Sequence, residues 1–233
     1  MQAPAGNLLH RYMHWLHTRW PAGVVEALPE VAEDGRTNLP GVYVVGDLTG
    51  IPLLKFSADS GARAIETIIA DAKFTSTRQG KAAGVHDVVI IGAGVAGVAA
   101  ALAARKHGLD FVLLEATGLF STVANFPKGK PIYTYPKEMK PAGDLQFTRD
   151  VKEALLDEMR EQAAGIAPRA GRVEKIERSG GILICHLAAD GAGGSDDARR
   201  LQALRVIVAI GRSGNFRKLG VPGEELDKVY NRL

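Results

Sequence analysis

Hydrophobic residues cluster along this chain in two periodicities. Asp87–Ile91 is a short apolar run of strand length, and Val95 to Lys106 is a helical stretch stopped by Gly108. Phe111–Glu115 is a second strand, so these pieces predict a strand–helix–strand unit. Upstream, Val42 to Val45 predicts a strand closed by Gly46-Asp47, and from Pro52 apolar residues recur at Leu54, Ala58, Ala62, Ile65 and Ile69, a helix reaching about Ala72. Thr75–Gly84 is polar and without period, which predicts a linker over 75–85. Residues 118–147 are rich in Pro, Gly, Lys and aromatics and predict a long loop that lines a site. A helix carrying Leu155, Leu156 and Met159 comes next, and then strand-like pieces at 172–178, 181–188 and 201–210, split by Gly180-Gly181 and the Asp190–Asp197 tract. These pieces predict a small antiparallel meander.

Bulk properties narrow the function. A chain of 233 residues with 46% hydrophobic positions has enough apolar surface for a sizeable core. The net charge of +3 is spread as mixed signs, without the basic block that follows a nucleic-acid backbone, so nucleic acid is not an expected partner. The apolar runs fall far short of the ~20 residues of a membrane span. Histidines, Arg11 and Trp15 interrupt the N-terminal stretch where a secretory leader would be apolar, and the expected compartment is the cytoplasm. The single cysteine, Cys185, fits a reducing compartment and leaves no second thiol for a dithiol reaction.

The chemistry concentrates in Gly92-Ala93-Gly94-Val95-Ala96-Gly97, placed directly after a strand and opening a helix. Gly92 allows the tight turn, Gly94 lets backbone approach a pyrophosphate, and Gly97 lets the helix pack on the strand, with the helix N-terminus facing the negative charge. Glu115 ends the next strand, where a carboxylate can accept hydrogen bonds from adenosine ribose hydroxyls and disfavours a 2′-phosphate. This pattern predicts a dinucleotide site.

A second motif, Thr37–Gly50, reads Thr-Asn-Leu-Pro-Gly-Val-Tyr-Val-Val-Gly-Asp-Leu-Thr-Gly and leads into the helix containing Ala58, Gly61 and Ala62. It resembles the second flavin-adenine-dinucleotide (FAD) motif of the two-dinucleotide-binding-domain flavoproteins, the superfamily of thioredoxin reductases, glutathione reductases and related monooxygenases. The resemblance implies FAD as cofactor, a role for Gly46 and Asp47 at the ribityl or phosphate region, and a helix starting near Leu54 that aims its N-terminus at the isoalloxazine. Leu204–Gly211 resembles the strand by which the same family leaves its first FAD segment, which adds Gly211 to the site. With Asn125–Pro131 and Tyr133–Pro136, the likeness extends to thioredoxin-reductase-like proteins of the bacillithiol-disulfide reductase type, whose corresponding loop approaches the flavin. That brings in Lys130 and Tyr135, which read equally well as ordinary loop residues. The fold so implied is α/β, a Rossmann-like FAD-binding ββα three-layer fold with a small antiparallel β-meander. Residues 1–74 carry the Gly-Asp motif and its helix, and 86–233 form the first FAD segment.

The sequence departs from the family pattern in two ways. The Gly-Asp motif precedes the Gly-rich motif instead of following it, and no second Gly-x-Gly-x-x-Gly appears before Leu233. The resemblance therefore implies FAD binding here and NAD(P)H as electron donor through a domain not contained in these residues. The leading expectation is an FAD-dependent oxidoreductase, or its FAD-binding portion, with a protein redox partner or downstream domain and a homo-oligomeric state. The alternatives are a non-catalytic nucleotide-binding electron-transfer module and a flavoprotein monooxygenase. No side chain stands out as acid, base or nucleophile. His10, His14 and His17 are spaced to share one helix face, but no further ligand type lies close by, so a packing or partner segment is expected there and no metal.

Overall fold

The computed structural model describes residues 29–189, 199–211, 220–224 and 226. His10, His14 and His17 and the Asp190–Asp197 tract lie outside the described residues.

The two longest apolar strands, β2 (Val85–Ile91) and β7 (Arg200–Val208), lie side by side in parallel, with Ile91 opposite Val208. On the far side of β2 come β3 (Phe111–Glu115) and the two-residue β4 (Arg169–Ala170), both parallel, with Ile91 opposite Leu114. β7 changes partner along its other edge. Its first half pairs antiparallel with β6 (Ile182–Leu187), Cys185 opposite Leu201, while its second half pairs in parallel with β1 (Val42–Val44), Val44 opposite Val208. β5 (Val173–Ser179) completes the meander beside β6. The parallel strands therefore stand in the order β4-β3-β2-β7-β1, with their C-terminal ends at one edge of the sheet.

Strands buried on both faces read as continuous apolar runs, and β2 does so because it has helices on one side and the meander on the other. Val88 and Ile90 join the cluster containing Ala58 and Ile65 of α1 (Leu54–Ala70) and Val98 of α3 (Val95–Lys106). Val89 and Ile91 face the opposite way and meet Leu183 and Cys185 of the meander. The result is the three-layer ββα arrangement expected from the sequence. α1 and α3 pack against each other so closely that a Cβ at Gly61 would lie 2.1 Å from the carbonyl oxygen of Ala96.

Two stretches differ from expectation. The supposed linker is helical through Gln79, as α2 (Ala72–Gln79), whose first turn is capped by the Asp71 carboxylate accepting from the Lys73 amide at 2.9 Å. Arg78 Nε and Lys81 Nζ then each lie 2.8 Å from a carboxylate oxygen of Asp87, which is 1% exposed. Polarity concealed this because the partner sits on another element and only Phe74 of α2 is buried. The long loop at 118–147 also contains a one-turn helix, α4 (Ser121–Ala124), ahead of α5 (Lys152–Gln162).

Among the described residues, no helix is long and apolar enough to cross a membrane.

Candidate functional site

The turn after β2 is shaped by what lies behind it. Gly92 has φ +101°, and a Cβ there would stand 2.6 Å from the Ala209 carbonyl oxygen. A Cβ on Gly97 would stand 1.8 Å from the carbonyl oxygen of Gly92. Both glycines are thus required by the protein's own packing. Gly94 is different: its φ is −76°, an ordinary value, and a Cβ there would meet nothing within 4 Å. The fold leaves that position open on the side where a ligand's pyrophosphate would approach, and this is the local fit expected of a dinucleotide cradle.

Val95 and Ala96 open α3 and are buried. The first amides of a helix lack intrahelical acceptors and carry the positive end of its dipole, so the α3 N-terminus offers donors to an anion. Ala93 is pinned from both sides: its amide donates to Glu115 Oε2 at 2.6 Å, and its carbonyl accepts from the Phe120 amide at 2.9 Å. Phe120 is 1% exposed and adopts φ 54°, a left-handed conformation uncommon outside glycine.

Glu115 Oε1 accepts from the amides of Thr117 and Gly118 and from the Thr117 hydroxyl. Burial pushes the Glu115 pKa up, but the hydrogen bonds from Ala93, Thr117 and Gly118 outweigh it and hold the carboxyl below its ordinary value. The group is ionised at neutral pH. Oε2 has capacity for a second donor beside the Ala93 amide.

The Gly-Asp motif forms a 3-10 turn, Gly46–Thr49, at the end of β1. Two serines of α1 hold it. Ser57 Oγ donates to Asp47 Oδ1 at 2.9 Å, and the Gly46 amide donates to Ser60 Oγ at 3.0 Å. A Cβ on Gly46, at φ +76°, would come within 3.0 Å of the Ala96 Cβ, so the two motifs touch despite their inverted order in sequence. Gly211, at φ +63°, follows the end of β7 between them.

Leu54 begins α1 and packs half-buried against the core. Lys130 places its ammonium 4.0 Å above the Phe126 ring, and its backbone bonds to Pro127 and Lys152, contacts that tie it to its own loop and to α5. Tyr135 is 49% exposed, with its ring 6.3 Å from that of Tyr133. The structure therefore brings together Gly46, Asp47, Gly92 through Gly97 and Glu115. Lys130 and Tyr135 sit on a loop that reaches α1 through other residues.

Sequence reasoning missed Ser57, Ser60 and Lys55. Ser57 and Ser60, three apart on the helix after Gly-Asp, were the available signal, since that spacing puts two hydroxyls on one face. Lys55 is 6% exposed and donates to the carbonyl oxygens of Pro136 and Lys137 at 2.6 and 2.9 Å. Among the described residues, no group of three His, Cys, Asp or Glu could hold a metal ion.

The sequence profile of the pyridine nucleotide-disulphide oxidoreductases matches residues 86–232. A ferredoxin–NADP reductase of Ignicoccus hospitalis is 25% identical over 146 residues, 62% of this chain and 43% of that protein. A thioredoxin reductase of Mycolicibacterium smegmatis is 32% identical over 149 residues, 60% of this chain and 39% of that protein. Among solved structures, the bacillithiol disulfide reductase Bdr of Bacillus cereus superposes with a TM-score of 0.48 at 25% identity, covering 64% of this chain and 46% of its own. The chain spans less than half the length of each.

Proposed function

The chain belongs to the pyridine nucleotide-disulphide oxidoreductase family, and from that premise we propose that it is the FAD-binding portion of an oxidoreductase passing electrons between NAD(P)H and an acceptor. The observation that carries this reading is the contact between the two motifs, with the Cβ position of Gly46 3.0 Å from that of Ala96. A Gly-rich turn alone suits NAD or FAD. A second acidic turn close to it, at the end of β1 on the far side of β7, supplies a place for the other half of a longer dinucleotide.

The strand order supports one direction for the ligand. With adenosine at Glu115 on β3 and pyrophosphate at Gly92–Gly97 after β2, an extended dinucleotide would run past Gly211 after β7 to Asp47 after β1, toward the N-terminus of α1. Bound there, the flavin supplies the hydride and electron chemistry. The protein's part would be to hold it: Glu115 would accept from ribose hydroxyls, the α3 N-terminus would offset the pyrophosphate charge, and Asp47, fixed by Ser57, would accept from a ribityl hydroxyl. NAD(P)H enters this reading as a donor delivered by residues beyond this segment, and a protein redox partner, a homo-oligomer and a cytoplasmic setting belong to the same proposal. The single cysteine supports the reducing compartment.

The test is reconstitution. The chain mixed with FAD and desalted is expected to stay yellow, whereas Gly94→Val is expected to fold normally by far-UV circular dichroism and come off colourless. Flavin retained by the valine variant, or none retained by the parent chain, would overturn the assignment.

A further inference from the structure

One face of α1 is built to hold a loop. Lys55, Asp59 and Ala62 stand at i, i+4 and i+7, which places them along one side of the helix. Lys55 Nζ donates to the carbonyls of Pro136 and Lys137, and Asp59 Oδ1 accepts from the Ala142 amide at 2.8 Å. Gly143 lies against the third position, where a Cβ would come within 2.9 Å of the Ala62 Cβ. The face thus fastens the segment 136–143, while Ser57 and Ser60 grip the Gly-Asp turn.

Helix stability does not account for Lys55. A cation in the first turn opposes the helix dipole, and taking an ammonium out of water is costly unless it is fully hydrogen-bonded. Yet Lys55 is 6% exposed and sits in that first turn. Two carbonyls satisfy two of its three donors. An uncharged side chain would suit the helix start and the burial better, so the charge itself calls for another explanation.

We propose that Lys55 is a positioning residue for the flavin: it fastens the loop bearing Tyr133 and Tyr135 to the α1 N-terminus and keeps a positive charge at the end of the site where the flavin ring lies. This rests on the FAD reading above, which runs the cofactor from Glu115 past Asp47 to that same helix terminus. Tyr133 and Tyr135 are 69% and 49% exposed and lie within three residues before the Pro136 carbonyl that Lys55 holds, so the lysine anchors the backbone next to these rings. Reduction adds electrons to the flavin, and a fixed cation nearby in a partly desolvated site favours the more negative form.

The experiment compares Lys55→Met and Lys55→Arg with the parent chain. Hydrogen–deuterium exchange on the FAD-free chain reads the loop: Lys55→Met is expected to speed exchange of the amides at 137–142 about tenfold, and Lys55→Arg to restore much of the protection. Titration of the FAD-loaded chain against a reference dye reads the charge. Lys55→Met is expected to make flavin reduction about tenfold less favourable, which is about 30 mV for a two-electron couple, with Lys55→Arg close to the parent. Unchanged loop exchange in Lys55→Met overturns the fastening role, and an unchanged midpoint potential with the flavin still bound overturns the electrostatic one. A parent chain that takes up no FAD overturns the flavin reading and this role with it, while the exchange comparison still decides the loop contact.

Discussion

Glu115 Oε2, at the end of β3, accepts a 2.6 Å hydrogen bond from the amide of Ala93 in the turn after β2. The carboxylate expected to receive a ribose is therefore already part of the turn's scaffold. Four donors converge on its two oxygens, those of Ala93, Gly118 and Thr117, the last giving both amide and hydroxyl. Glu115→Gln keeps the shape but replaces one accepting oxygen with a donor, so at least one of these amides loses its acceptor. The expected cost is about 1–2 kcal/mol in denaturant unfolding, together with roughly tenfold weaker FAD binding by fluorescence titration, since each 1.4 kcal/mol is tenfold. Unchanged stability and unchanged affinity would show that the carboxylate is dispensable to both turn and ligand.

Acid sensitivity follows from the same group and two others. Glu115 lies below its ordinary value of 4.5. Asp71 is held below 3.8 chiefly by Arg205, whose Nη2 lies 2.6 Å from it. At Asp110 burial raises the pKa, but Lys81 and His86 outweigh it and bring the group below 3.8. A carboxyl with a depressed folded-state pKa contributes stability that is present above its unfolded value and lost as pH falls through the folded one. The urea midpoint is thus expected to hold steady with respect to these groups above about pH 5 and to fall below it. Asp71→Asn should flatten that acid limb, and an identical slope in the variant would remove Asp71 from the account.

Two glycines separate packing from binding. At Gly61 an added methyl would meet the Ala96 carbonyl at 2.1 Å and force α1 away from α3, whereas at Gly94 it would meet nothing within 4 Å. Gly61→Ala is expected to lower stability by about 1–3 kcal/mol, the usual range for overpacking. Gly94→Ala should leave the thermal midpoint essentially unchanged and weaken FAD binding. The reverse ordering in a thermal melt would mean that the turn is strained by the protein itself and is not kept open for a ligand.

Asp87 tests the stretch that looked like a linker. It is 1% exposed and its charge is balanced by Arg78 in the last turn of α2 and by Lys81 just beyond that helix, while Oδ2 also accepts from the Asp110 amide at 2.9 Å. Removing the carboxylate leaves that amide without its acceptor and takes one partner each from Arg78 and Lys81, which keep the Gly108 carbonyl and the Asp110 carboxylate, and Asp87→Ala is expected to cost about 3 kcal/mol in urea unfolding. Arg78→Ala should cost less, because the arginine is 38% exposed and water replaces part of its interaction. Equal, small losses from both variants would mean that the clamp contributes little.

These residues also show why parts of the molecule could be read from sequence and parts could not. The span from Val85 to Glu115 was legible because burial on both faces of β2 and close packing of α3 leave a continuous apolar run, an alanine-rich helix and fixed glycines. The three-layer arrangement was implied by the resemblance that the two motifs carry, and the meander by three strand-like runs split at Gly180-Gly181 and the Asp190–Asp197 tract. Partnership between distant elements left no periodic trace: Asp87 with Arg78, Lys55 with the Pro136 carbonyl and Ser57 with Asp47 each join a polar side chain to a group that becomes its neighbour only on folding. β4 was missed because two exposed residues carry no pattern. The contact of the inverted motifs likewise depends on β7 exchanging β6 for β1 halfway along its length, a long-range pairing that local sequence does not encode.

Cys185 is the one thiol of the chain, and its surroundings argue for packing over chemistry. It is fully buried between the meander and the parallel sheet, among Leu183, Leu201 and Val206, and burial pushes its pKa up to about 12. A thiol in that state presents almost no thiolate at neutral pH, and the thiolate is the reactive form. Iodoacetamide is therefore expected to leave the native chain unlabelled at pH 8 and to label it fully in urea. Replacement distinguishes the roles further. Cys185→Ala removes one buried atom and should cost about 1 kcal/mol. Cys185→Ser places a hydroxyl in the same apolar cluster and should cost more, about 1–3 kcal/mol, unless it finds a partner. Both variants should retain FAD and reduce it at the parent's potential. A shared loss of electron uptake in two variants of different stability would point to a redox part for Cys185 that its burial argues against.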